Sequence, residues 1–340
     1  MFPDLTKYLN RPLSIGQKTI TKRLVMAPMA FIGNVAFREL IASYGGYGLL
    51  FSEMCNARRI PNENRYSSPY FNWRDEESSQ LVCQIFGAEP EIMARAARRI
   101  ETEGLFGVDI NFGCSDVAIR RQNCGAAILK SPDLAQRIVA AVRKAIAIPL
   151  FVKFRIGWEN DPQTSIELAR RFEDAGADAL TFHPRVAPDR RARPAKWEYI
   201  GMVKQAVNIP VFGNGDVFDQ NDCTTMLTST GCDGVALGRI AIAKPWIFAV
   251  WTGKMETGPE VFFESAIKLA NLLEQYFEPT RAIRRFKRFA YYFSANFKFG
   301  HTFYTRVSNA KDMASVIDCI NAFFKKSPEC LRRPNLNYFS

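Results

Sequence analysis

A lysine stands inside the apolar run Phe151-Val152-Lys153-Phe154, and Arg155 follows two residues later. Placing an ammonium group among apolar side chains is costly unless its charge is used. Cys114 follows a glycine and lies three residues after Asn111. Buried free cysteines are commonly inert packing, but this one sits in a polar turn. His183, one of only two histidines, closes another apolar run, and Gln84, Asn214-Gly215 and Gly238-Arg239 lie in or just after three more. These groups are suited to proton transfer and to holding an anion.

The elements that must position them are eight short apolar runs: Arg23 to Met29, Gly48 to Met54, Leu81 to Phe86, Gly107 to Phe112, Pro149 to Ile156, Ala179 to His183, Pro210 to Gly213 and Gly234 to Leu237. Helical stretches separate them, as in Ser131-Pro132-Asp133 before Leu134 to Ile146, which offers an N-cap, a proline at the first helical position and an early acid. Such alternation argues for a parallel sheet with crossover helices, and eight repeats favour a closed (β/α)8 TIM barrel, an α/β fold whose active site lies at the strands' C-terminal ends. Pro28, Glu53, Gln84, Asn111, Cys114, Lys153, Arg155, His183, Asn214, Gly238 and Arg239 fall there. An open doubly wound sheet would need a glycine-rich turn after its first strand, where this chain has Met26-Ala27-Pro28-Met29.

The 340 residues exceed the roughly 250 of one barrel, and the surplus is C-terminal. Residues 1–253 are expected to form the barrel, and residues 254–340 a helical bundle reached through a Gly/Pro-containing linker. Three stripes of period 3.6 support the bundle, led by Ala266, Ile283 and Met313. Of the net charge of +11, residues 260–340 contribute +6, from thirteen Lys or Arg against seven Asp or Glu. Arg281, Arg284, Arg285, Lys287 and Arg288 crowd one helix, a pattern that fits a polyanion contact. The scattered cysteines predict free thiols and no structural zinc. Met1 to Asn10 lacks the apolar segment of a signal peptide and no run is long enough to span a membrane, so a cytoplasmic protein without a membrane partner is expected.

Met26-Ala27-Pro28-Met29, Gln84-Ile85-Phe86-Gly87, Asp109-Ile110-Asn111-Phe112-Gly113-Cys114, Lys153-Phe154-Arg155-Ile156-Gly157-Trp158, His183-Pro184-Arg185, Gly213-Asn214-Gly215-Asp216 and Leu237-Gly238-Arg239 follow one another at barrel spacing. In that order they resemble the tRNA-dihydrouridine synthase family. The resemblance implies FMN, reduced by NADPH, hydrogenating the C5–C6 double bond of uridine in RNA, and tRNA in particular. Hydride would pass from flavin N5 to C6, and a proton from Cys114 to C5. It implies uracil contacts at Asn111 and Arg155, and flavin contacts at Pro28, Met29, Gln84, Lys153, His183, Asn214, Gly215, Gly238 and Arg239. The basic helix would meet the RNA, and the protein is expected to act as a monomer.

Two positions depart from the family pattern. Ser115 replaces the usual proline after the cysteine, and a second thiol, Cys124, stands where a small residue is common. Two rival readings are an FMN ene-reductase or dihydroorotate dehydrogenase-like enzyme acting on a small molecule, for which the basic bundle has no use, and a non-catalytic RNA-binding relative.

Overall fold

A computed structural model describes residues 4–189 and 193–336. Eight parallel strands, Leu24–Met26 (β1), Leu50–Phe51 (β2), Leu81–Phe86 (β3), Gly107–Phe112 (β4), Leu150–Gly157 (β5), Ala179–Val186 (β6), Val211–Asn214 (β7) and Gly234–Leu237 (β8), follow one another round a barrel. β8 pairs back to β1, and the bridge between Val25 and Leu49 joins β1 to the start of the second run, closing the ring. The first two strands are shorter than the sequence predicts. Pro28 and Met29 therefore belong to the loop after β1, and Glu53 lies beyond β2.

β3, β4, β7 and β8 are buried along their whole length, as expected for strands covered on both faces. β5 breaks this pattern at Lys153 and Arg155, and β6 at His183. Strand side chains alternate with period two, so Lys153 and Arg155 share the inward face with Phe151. Lower in the barrel, Phe51, Phe151, Phe212 and smaller residues form an interior cluster, closed from below by Ile15 and Ile20 of an antiparallel hairpin, Leu13–Ile15 with Lys18–Ile20. Sequence patterning does not predict this hairpin.

Outside lie helices Val35–Tyr44 (α1), Pro90–Thr102 (α2), Pro132–Ala145 (α3), Pro162–Asp174 (α4), Trp197–Ala206 (α5) and Gln220–Thr230 (α6). Proline occupies the first turn of α2, α3 and α4, where its missing N–H costs nothing. Ser131 precedes α3 as expected, but its hydroxyl makes no capping bond.

Beyond the short helices Arg239–Ala243 and Ile247–Trp251, the C-terminal region contributes Glu260–Tyr276 (α7), Pro279–Phe293 (α8), His301–Asn309 (α9) and Met313–Phe324 (α10). The sequence stripes correspond to α7, α8 and α10, while α9 is additional. These helices do not hang on a free linker. One continuous apolar core joins them to the barrel's outer layer, and α7 and α1 are tied by Tyr44 Oη to Ser265 Oγ (2.7 Å) and Tyr276 Oη to Glu39 (2.6 Å). All eight cysteines are free, and no helix among the described residues is long and apolar enough to cross a membrane.

Candidate active site

A cavity of about 320 Å³ opens at the C-terminal ends of the strands, and all the barrel residues assigned above to cofactor, substrate or catalysis line it. Two hydrogen-bonded networks shape its walls.

The first runs across β3 and β4. Gln84 donates to Asp109 Oδ2 at 2.6 Å, Asn111 donates to Gln84 Oε1 at 2.8 Å, and Asn111 Oδ1 accepts the backbone N–H of Gly113 and of Cys114 at 3.1 and 2.9 Å. Asn111 thus fixes the turn that carries the thiol. The Cys114 carbonyl accepts the Ala126 N–H at 2.9 Å. Gly125 is held at φ +62°, and a Cβ there would stand 2.7 Å from the Cys114 carbonyl oxygen, so only glycine fits this contact.

Burial dominates the electrostatics here. It pushes the Cys114 thiol above its ordinary range, against the opposing pull of the Asp116 N–H, Arg155 and Lys153, so at neutral pH Cys114 carries its proton. Burial also pushes Lys153 down to about 8, with Arg155 adding to it, and pushes Asp109 up to about 7 despite Gln84 and Lys153. Lys153 forms no ion pair among the described residues, and Asp109 Oδ1 is buried without a hydrogen-bond partner.

The second thiol of the loop behaves differently. Cys124 is buried, donates to the Gln122 carbonyl at 3.3 Å and faces a separate pocket beside Arg58 and Glu89. Only Cys114 reaches the main cavity.

The second network crosses β5 to β8. Arg155 donates through Nε to the Gly113 carbonyl at 2.8 Å. Asp216 is gripped by two guanidinium groups, Arg185 at 2.6 Å and Arg239 at 2.6 Å, and accepts the Ala195 N–H at 2.8 Å. Burial raises its carboxyl, but these donors outweigh that and hold it below its usual range. Burial, then the charges of Arg155, Lys153, Arg185 and Arg239, push His183 well below its ordinary value. Its neutral ring can accept at Nε2 from Arg185, 3.0 Å away. Gly215, at φ +115°, lies against this ring, and a Cβ there would come within 2.8 Å of His183 Cδ2. At Gly238 a Cβ would meet nothing within 4 Å, so backbone faces open space at the cavity wall.

Arg185 and Asp216 are cavity residues that the sequence-based assignment omits. Arg185 was legible, since it stands two residues after His183 on the same strand face, as Arg155 does after Lys153. Asp216 gave less signal, because its role depends on two arginines from other strands.

The basic helix α8 divides. Arg281 and Arg284 are exposed and Lys287 half-buried. Arg288 reaches the cavity rim, with its guanidinium 4.2 Å from the centre of the Phe31 ring. Arg285 corrects the sequence-based expectation, because it is buried and faces the barrel rather than solvent. It pairs with Glu53 at 2.9 Å and donates to the Phe31 and Pro69 carbonyls at 3.2 and 3.0 Å. At the crossing of helix α8 with the barrel, every face of Arg285 meets protein, so it is not available to an RNA phosphate. Glu53, whose role the sequence leaves open, neutralises it.

The sequence model for "Dihydrouridine synthase (Dus)" matches residues 25–326. A tRNA-dihydrouridine synthase B of Pectobacterium carotovorum is 37% identical over 247 residues, covering 72% of this chain and 76% of that protein. The protein of the same name from Pseudomonas putida is 30% identical over 325 residues, covering 93% and 96%. Among solved structures, the old yellow enzyme of Trypanosoma cruzi superposes with a TM-score of 0.55 at 13% identity, covering 80% of this chain and 99% of that one. At that identity the likeness concerns the fold alone.

Proposed function

From the premise that this chain belongs to the dihydrouridine synthase family, we propose that it reduces the C5–C6 bond of a uridine in tRNA, using FMN recharged by NADPH, in the cytoplasm and as a monomer. The observation that carries the reading is one cavity holding the half-buried charge of Lys153, which forms no ion pair among the described residues, beside a thiol kept protonated.

The residues present fit a flavin. The cavity is of ligand size, Gly238 leaves space for close approach at its wall, and Asp216 holds Arg239 in place. Asn214, Gly215, Gly238 and Arg239 would take the phosphate, at the loops after β7 and β8 where barrels commonly bind one. Gln84, Lys153 and His183 would take the polar ring edge, and Pro28 and Met29 would pack on the ring. When bound, FMN supplies the hydride for uracil C6.

The chain's own groups do the rest. Cys114 presents a proton on Sγ to C5, acting as the general acid, and Asn111 keeps its loop in place. Arg155, anchored on the Gly113 carbonyl, is directed at the uracil carbonyls and offsets charge developing there. A base in folded RNA must leave its stack to reach this depth. Arg281, Arg284, Lys287 and Arg288 would hold flanking phosphates.

Purified protein would be heated to release its chromophore, and fresh protein incubated with NADPH and tRNA lacking dihydrouridine. FMN and new dihydrouridine are expected. Release of FAD would contradict the FMN assignment, and NADPH oxidation with small enones while tRNA stays unaltered would favour the small-molecule reading instead.

A further inference from the structure

A second groove, of about 680 Å³, lies on the far side of the Cys114 loop. Its walls carry Arg120, Arg121 and Lys130 and no carboxylate. None of these cations forms an ion pair among the described residues, whereas Arg99, Arg143 and Arg171 on the barrel wall pair with Glu103, Asp178 and Asp133. Instead, Lys130 and Arg120 lie over the Trp158 ring, 4.0 and 5.4 Å from its centre. The Arg120 Nε is buried without a hydrogen-bond partner.

The groove and the cavity share a wall. Trp158 donates through Nε1 to the Ala126 carbonyl at 2.9 Å, and the Ala126 N–H bonds the Cys114 carbonyl at 2.9 Å. Whatever fills the groove therefore sits one loop away from the thiol. Holding the cations over an indole restricts them before binding, which lowers the entropy lost when they meet a ligand.

We propose that this groove is a phosphate-binding track for the RNA strand flanking the target uridine, opposite the contact made by helix α8. The proposal rests on the function proposed above. Three unneutralised cations along an open groove suit successive phosphates of a polyanion, and the shared loop places them where the strand must run if its base reaches Cys114.

The test uses the flavin-loaded enzyme with Arg121→Gln and Lys130→Gln together. Both residues are exposed, so folding should be unaffected. Binding of tRNA lacking dihydrouridine would be measured across salt concentrations, alongside flavin content and the KM for NADPH. About tenfold weaker tRNA binding is expected, with the log–log salt slope reduced by about 2, roughly one for each phosphate no longer neutralised, and with flavin and NADPH unchanged. Unchanged tRNA affinity and slope would overturn the proposal. So would a raised KM for NADPH with tRNA binding intact, which would make the groove a reductant site. If the unmodified enzyme neither binds tRNA nor forms dihydrouridine, the underlying function fails as well; if it does both and the variant matches it, the groove proposal alone fails.

Discussion

At the N-terminal end of the barrel, Asp178 accepts the Leu150 N–H at 2.8 Å and pairs with Arg143 at 2.6 Å, while Asp233 accepts the Val211 N–H at 2.8 Å and pairs with Lys204 at 2.8 Å. Each of these two carboxylates anchors the first residue of a strand and meets one side-chain cation. At the C-terminal end one carboxylate, Asp216, serves two arginines, and Lys153 and Arg155 add two further positive charges around a neutral histidine. Charge in these two pairs is balanced and local, which helps to close the fold. Charge at the upper end is in surplus and desolvated, an arrangement that costs stability until an anionic partner arrives. The contrast separates residues that build the barrel from residues that equip it.

The sharpest way to break this contrast is to alter the upper end without changing its charge. Cys114→Ala should keep its flavin and its NADPH oxidation yet lose dihydrouridine formation by about two orders of magnitude or more, the scale of a missing general acid. Cys124→Ala, facing another pocket, should remain close to wild type in the same tRNA assay. If Cys124→Ala abolishes the product and Cys114→Ala does not, the acid has been assigned to the wrong thiol.

Exchanging an aspartate at each end gives the next largest effect. Asp178→Ala removes a backbone anchor and an ion pair, worth about 2 kcal/mol together, and should lower Tm by roughly 3 °C in a chain of this length with flavin content unchanged. Asp216→Ala should instead reduce the fraction of purified protein that retains flavin, because Arg185 and Arg239 lose their common anchor. Absorbance spectra and thermal melts of both variants test the distinction; equal flavin loss in both would erase it.

The pH dependence sharpens it further. In flavin-free protein the Lys153 pKa of about 8 lies below its ordinary 10.5, so between these values the unfolded chain binds more protons and stability rises with pH. Asp109 has the opposite sign. Its value of about 7, above the ordinary 3.8, means the folded chain binds more protons in that window, and stability falls as pH rises through it. Lys153→Met should therefore flatten the alkaline gain, stabilise the flavin-free protein at pH 7 and weaken flavin binding. Denaturant titrations from pH 4 to 10 would show this, and a destabilised Lys153→Met protein would contradict it.

The smallest effect belongs to the solvated charges of helix α8. Replacing Arg281, Arg284 and Lys287 with Gln should leave flavin and Tm unchanged and lower the salt slope of tRNA binding by roughly one unit for each phosphate that the helix no longer neutralises. An unaltered slope would reduce that face to ordinary surface.

Much of this molecule is determined by its sequence alone. Eight apolar runs separated by helices lead to the barrel because strands covered on both faces must be apolar throughout. Exceptions such as Lys153, Arg155 and His183 stand out against that background, and they line the cavity. The strand period reaches Arg185 as well.

Tertiary structure decided what depends on residues far apart in the chain. Arg285 reads as one more cation on a basic helix, and only the packing of α8 against the barrel brings it to Glu53, 232 residues away. Asp216 gains its meaning from Arg185 and Arg239 on neighbouring strand ends, and the separate surroundings of Cys114 and Cys124 follow from the glycine-bound loop, which turns one toward the cavity and the other toward a different pocket. Periodicity reports how a side chain faces its own element; which partner shares its burial, and so whether its charge is neutralised or available, is set by packing between elements.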